Sequence, residues 1–185
     1  MDTEICWHGR GGQGIVTANE ILAEATIYAG KYVKAFPEFG PERMGAPIRA
    51  FARISDNPIR VHTQVYEPDI VIVVDPTLVG HVDVARGLKE DGVIIANYPG
   101  TPEALRKAIG TDRKCHAVDA TRISTEEMGR PMANTSMLGA LVKVRPIISY
   151  EEMEENLVSK FEGKFSKAVI DKNVAALKRA YEEVK

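Results

Sequence analysis

A short apolar strand that runs into a glycine-rich turn and then a helix constrains this chain more than any other feature. Thr3-Glu4-Ile5-Cys6-Trp7-His8 leads directly into Gly9-Arg10-Gly11-Gly12-Gln13-Gly14-Ile15-Val16. Gly9, Gly11 and Gly14 meet the G-x-G-x-x-G spacing, and Gly12 adds a further glycine. The pattern is weak alone, but between a strand and a helix it marks the first βα unit of a nucleotide-binding fold. Glycine lets the backbone turn tightly and approach a ligand, and the free N–H groups of the next helix suit an anion such as a phosphate. The same residues also make a plain strand-to-helix turn with no ligand. The loop does not say which phosphate compound would bind.

The remaining pattern alternates. Ile15, Ala18, Ile21, Leu22 and Ala25 recur at helical spacing, and Ala29-Gly30 marks a stop. Residues 31–36 read as a second strand. Residues 48–54, the turn Asp56-Asn57-Pro58 and residues 59–63 read as a hairpin, inside the main sheet or apart from it. The β-branched runs at 69–75 and 92–97, and a weaker one at 115–119, read as buried strands. Helical segments are expected at about 78–90 and at 102–109. This order predicts an α/β fold: a Rossmann-like, doubly wound, mostly parallel sheet with helices on both faces and a helical C-terminal end. Residues 135–142 form a small-residue apolar helix. Ser149-Tyr150-Glu151-Glu152 is a capping box, Leu157, Phe161 and Phe165 continue the apolar face behind it, and 169–184 is a final amphipathic helix. A length of 185 residues fits one domain, 1–185, with 149–185 as its helical extension.

Composition narrows the partners. A formal charge of -2 and a pI near 6.1 give no overall pull toward nucleic acid or an anionic membrane. No apolar run approaches the roughly 20 residues that span a bilayer. The chain opens on a strand with no visible signal peptide, so a cytoplasmic location is expected. Cys6 and Cys115 sit in apolar strand-like segments, as small buried side chains do. Without a C-x-x-C or multi-cysteine run, no iron–sulfur cluster is expected on this chain. His8, His62, His81 and His116 lack paired helical spacing, so no metal site is expected.

Several residues are candidates for a site. The segment 37–47 holds three prolines and two glycines, too stiff and apolar for a casual linker. Within it Glu42, Arg43 and Gly45 would meet a ligand or another chain, unless the loop packs on itself. An NAD site places an acid at the end of the second strand, but Lys34-Ala35-Phe36 stands there and Glu38 lies beyond Pro37. Lys31 and Lys34 would suit a ribose phosphate, as in NADP or coenzyme A, or be solvated surface. Thr77, after the central strand, is placed to donate to a phosphate, while Asp75 reads as an N-cap. Asn97 ends the next strand toward the same crevice. Asn134, Thr135 and Ser136 read as helix caps, or as groups reaching a partner. No G-x-S-x-G, H-E-x-x-H or Walker lysine is present, so no nucleophile–base pair declares itself.

Taken in order, Gly9-Arg10-Gly11-Gly12-Gln13-Gly14, then Pro41-Glu42-Arg43-Met44-Gly45-Ala46-Pro47, then Ile70 to Asp75, resemble the gamma subunit of 2-oxoacid:ferredoxin oxidoreductases, the pyruvate (pyruvate synthase) and 2-oxoisovalerate chains above all. The resemblance extends over nearly the whole chain. It implies an enzyme subunit. Its complex would decarboxylate a 2-oxoacid with thiamine diphosphate and Mg2+, and pass electrons through 4Fe–4S clusters to ferredoxin. The acyl group would go to coenzyme A. Those cofactors would lie on alpha, beta and delta partner subunits. Gly9, Gly11, Gly12, Gln13 and Gly14, with Lys34, Thr77 and Asn97, would form the coenzyme A side, while Glu42, Arg43 and Gly45 would shape a partner or active-site loop. Two alternatives explain the glycine loop alone: a free-standing NAD(P)-dependent dehydrogenase, or a non-enzymatic nucleotide-binding scaffold.

Overall fold

The computed structural model describes residues 2–38, 45–61 and 63–185. Strand β1 (Thr3–Arg10) enters the glycine turn, and helix α1 (Ile15–Tyr28) leaves it. The chain then forms β2 (Tyr32–Pro37), β3 (Pro47–Ser55) and β4 (Ile70–Val73). After a 3-10 turn at Pro76–Leu78 come β5 (Val93–Asn97), α2 (Pro102–Ile109) and β6 (Lys114–Val118). Four helices finish the fold: α3 (Ala120–Met128), α4 (Asn134–Val144), α5 (Tyr150–Phe161) and α6 (Lys167–Glu183).

The six strands form one mixed sheet in the order β2-β3-β1-β4-β5-β6. β1, β4, β5 and β6 run parallel, in the register Trp7↔Ile72↔Ile95↔His116. β3 is antiparallel to both of its neighbours. The alternation of each strand sorts its side chains. Ile5, Trp7, Ala52, Ile72 and Ile95 point into a large core beneath α1, α4, α5 and α6. Cys6, Phe51, Val71, Val73 and Ile94 point the other way, under α2 and the turns between β4 and β5. The mixed α/β architecture with helices on both faces matches the expectation from sequence.

Local signals explain several boundaries. Thr101 caps α2 from Ala104 N–H, with Pro102 at the first helical position, and Gly110 ends it in the left-handed region. The Ser149–Glu152 capping box forms as expected at the start of α5. α4 is buried along its length from Asn134 to Val142, and α6 crosses it at Gly139. A Cβ at Gly139 would lie 2.1 Å from the Leu177 carbonyl oxygen, so only glycine permits this approach. The last residue, Lys185, exchanges both backbone hydrogen bonds with Ala117 on the outer edge of β6.

Three expectations fail. Residues 78–90 are turns after the short 3-10 turn, not a helix. Gly80 and Gly87 are both at φ 77°, and Gly87 leaves room for the Tyr66 carbonyl, 2.1 Å from where its Cβ would be. The described residues of 56–63 form no return strand, because both edges of β3 are already taken by β1 and β2. That segment is instead pinned by Arg53, whose Nη1 donates to the carbonyls of Val61 and Thr63. Asn134, Thr135 and Ser136 do not cap α4, whose N-cap is Ala133 with no side-chain bond. The Thr135 hydroxyl donates to Asn173 Oδ1 at 3.1 Å. The periodicity reading also left out α3, although Asp119 caps it and Gly129 closes it.

Candidate functional site

The glycine turn is held by hydrogen bonds within itself. Gln13 N–H donates to the Arg10 carbonyl at 3.1 Å, and Arg10 N–H donates to Gln13 Oε1 at 2.7 Å. The glycines do different things. A Cβ at Gly9 would sit 2.6 Å from Ile15 Cγ2, so Gly9 lets strand and helix close on each other. Gly14, at φ 73°, is the N-cap of α1, and a Cβ there would meet Asn134 Nδ2 at 2.6 Å. Gly12, at φ 92°, has no atom of the described residues within 4 Å of its Cβ position. α1 carries no acidic residue in its first turn and no side-chain cap. Its first turn therefore offers no acidic side chain or side-chain cap to offset the N–H groups and dipole, a setting that suits an anion.

A buried carboxylate anchors the turn. Asp75, at the end of β4, accepts from Thr77 N–H at 2.8 Å and the Thr77 hydroxyl at 2.6 Å through one oxygen. Its other oxygen accepts from Gln13 Nε2 at 2.6 Å and pairs with Arg10 Nε at 3.1 Å. Burial works to raise the carboxyl's pKa, but the bonds from Thr77 and Gln13 and the charge of Arg10 outweigh it and hold it below the usual range. The Arg10 guanidinium bridges onward. It donates to Thr77 Oγ1 at 3.1 Å and, through Nη1, to the Gly45 carbonyl at 3.1 Å. Gly11 N–H donates to the Ala46 carbonyl at 3.2 Å. The far end of the proline-rich loop therefore rests on the glycine turn.

These contacts sort the candidates from sequence. Gly9, Gly11, Gly12, Gln13, Gly14, Thr77 and Gly45 converge at the end of β1. Glu42 and Arg43 lie outside the described residues. Gln13 and Thr77 are committed to the turn: the Thr77 proton goes to Asp75 and its lone pairs to Arg10. Asp75 caps the 3-10 turn as expected and also fixes Gln13 and Arg10. Asn97 is buried and spent. It donates to the Val74 carbonyl and Thr121 Oγ1, and it accepts from Thr121 N–H, tying β5 to β4 and α3. Lys34 stands on the rung of Arg53 and Glu4, about 20 Å down the sheet from Arg10 at the strand rise. Its Nζ donates to the Val61 carbonyl. The fold thus leaves Lys34 and Asn97 away from the open face of the turn. Arg10 escaped the sequence reading, because its partner carboxylate sits far along the chain on β4. Its position inside the glycine run was the only local signal.

Neither cysteine is poised for chemistry. Burial pushes the thiol pKa of Cys6 up to about 12 and of Cys115 up to about 11. With two thiols on separate strands, the chain lacks the ligands of a cluster. Among the described residues no group of His, Cys, Asp and Glu is arranged for a metal ion. Nor is any helix there long and apolar enough to cross a membrane. The geometry of the turn is compatible with an anion.

The pyruvate ferredoxin/flavodoxin oxidoreductase family model matches residues 4–183. The chain belongs to this family. It is 51% identical to the pyruvate/ketoisovalerate oxidoreductases common subunit gamma of Thermococcus litoralis, over 97% of this chain and 96% of that one. It superposes on the crystal structure of pyruvate oxidoreductase subunit PORC from Thermotoga maritima with a TM-score of 0.89 and 47% identity, covering 100% of this chain and 97% of that one. The 2-oxoglutarate:ferredoxin oxidoreductase of Magnetococcus marinus, solved with 2-oxoglutarate, coenzyme A and succinyl-CoA bound, shares the fold at a TM-score of 0.78 and 22% identity. There the likeness covers 98% of this chain and 30% of that one. Membership displaces the dehydrogenase and scaffold alternatives raised by the glycine turn alone.

Proposed function

We propose that this chain is the gamma subunit of a multi-subunit, ferredoxin-dependent oxidoreductase. The complex converts a 2-oxoacid, pyruvate or 2-oxoisovalerate, to acyl-CoA and CO2. The alpha, beta and delta subunits carry thiamine diphosphate, Mg2+ and the 4Fe–4S clusters, and ferredoxin takes the electrons. The complex works in the cytoplasm. This chain, one domain over 1–185 with 149–185 as its helical end, contributes assembly and a seat for coenzyme A. The observation that carries the binding role is the open left-handed backbone at Gly12, ahead of an uncapped α1. Backbone N–H groups there would hold a phosphate of coenzyme A, while Asp75, Gln13, Thr77 and Arg10 keep the turn in shape. Kinship with gamma subunits at about half identity over nearly full length supports the assignment of the complex.

Replacing Gly12 by valine in the assembled complex tests the seat. The branched side chain fills the open space and strains a backbone at φ 92°. The KM for coenzyme A should rise about tenfold or more, with the KM for the 2-oxoacid nearly constant. An unchanged coenzyme A KM in a complex of normal subunit composition removes the role from this turn. Native mass spectrometry of the purified complex, with assays on pyruvate and 2-oxoisovalerate, tests the assembly and names the oxoacid.

A further inference from the structure

On the side of β1 opposite α1 lies a cavity of about 520 Å3, a size typical of small-molecule sites. His8 and Leu78 form part of its floor, with Val65 and Val82 beside them, and Arg49 and Arg86 line it as well. The site described above uses none of its polar groups.

His8 is the first sign of a ligand. It is only 6% exposed, and its one partner among the described residues is the Cys6 sulfur, 3.4 Å from Nε2. Its Nδ1 has no partner there. Burial first, then the charge of Arg49, lowers the imidazole pKa to about 4 against the opposing carboxylates of Glu38 and Asp83, so the ring is neutral at neutral pH. The Cys6 thiol keeps its proton and is the natural donor to Nε2. With the thiol donating to Nε2, one of the two tautomers this contact allows, the ring proton sits on Nδ1, which no described residue accepts from.

The second sign is the contrast between two arginines. Arg49 is committed to both oxygens of Glu38, which also accepts from Gln64. The Arg86 guanidinium makes no hydrogen bond or ion pair with any described residue, and only its backbone N–H is bonded, to the Asp83 carbonyl. The cavity thus offers one uncommitted guanidinium and one imidazole N–H donor beside apolar walls. Glu38 and Asp83 on its rim oppose a second negative charge, which selects a monoanion over a phosphate dianion.

We propose that this cavity binds a short-chain carboxylate, with its head held by Arg86 and the Nδ1–H of His8 and its hydrocarbon body against Val65, Leu78 and Val82. The site lies across the sheet from the glycine turn, so it stands or falls independently of the coenzyme A seat.

The test is a titration of the full chain, labelled with 15N in its histidine rings, with 3-methylbutanoate at neutral pH. A saturable shift of the His8 ring nitrogens is expected in the millimolar range. Arg86→Ala, at an exposed position that leaves the fold intact, should weaken the apparent affinity about tenfold or more. Inorganic phosphate at equal concentration should leave the shift in place. Overturning results are an unmoved His8 ring, equal affinity in Arg86→Ala, or displacement by phosphate. A ring that ignores 3-methylbutanoate but shifts when partner subunits are added would make the cavity a protein-docking pocket and end the carboxylate reading.

Discussion

The two faces of the sheet are built to different standards. Toward α1, α4, α5 and α6, residues such as Ile5, Trp7, Ile72 and Ile95 are sealed in a continuous apolar core. On the other face one helix, α2, covers β5 and β6, and irregular chain covers the rest. That thinner face buries His8 and Arg53 and carries the half-buried Glu38–Arg49–Gln64 cluster. It also exposes Val61 and Tyr66. A helical layer satisfies its own backbone and needs only apolar contact from the sheet. Irregular chain must have its carbonyls satisfied from outside, so side chains such as Arg53 are drawn inward to do it. The helical face holds the larger apolar cluster. The other buries the ionisable side chains His8 and Arg53 against the sheet.

Trp7→Ala should give the largest effect. It empties a fully buried indole from the thick face and should cost about 4 kcal/mol, a large part of a typical domain's stability. Chemical denaturation of the full chain measures it, and a loss under about 1 kcal/mol would break the contrast between the faces. Arg53→Met comes next, at about 2 kcal/mol. Arg53 is paired with Glu4 Oε1 at 2.6 Å and holds two carbonyls of the covering segment. Hydrogen exchange should quicken first at residues 61–66, while α4 and α6 stay protected; uniform quickening would mean that the two faces fail as one unit. A further effect is a pH slope. The His8 pKa falls from 6.5 to about 4 on folding, so its contribution is complete above 6.5 and is lost as pH falls toward 4. Glu38, with its carboxyl held low chiefly by the Arg49 bond, adds its own loss at more acid pH. His8→Gln should flatten the stability curve between pH 6.5 and 4, and an unchanged slope would remove His8 as the titrating group.

Much of the fold was legible because its signals are local. β-branched runs, a proline at the first turn of α2 and a capping box act within a few residues, and each appears where expected. The glycine turn was legible for the same reason. Residues 78–90 misled because their apolar spacing mimics a helix while Gly80 and Gly87 take left-handed conformations. The hairpin misled because alternation reveals a strand but not its partner, and β3 found its neighbours in β1 and β2.

By itself the sequence determined the α/β class, the strand–turn–helix that opens the chain and the family resemblance, since each rests on residues adjacent or regularly spaced. Only the tertiary structure decided that β3 runs antiparallel inside the sheet and that Asp75 closes the glycine turn through Gln13, Thr77 and Arg10. It alone removed Lys34 and Asn97 from the turn's open face and gathered His8 and Arg86 around one cavity. Each of these is a meeting of residues far apart in the chain. Such meetings follow from strand order and register, which hydrophobic periodicity does not encode.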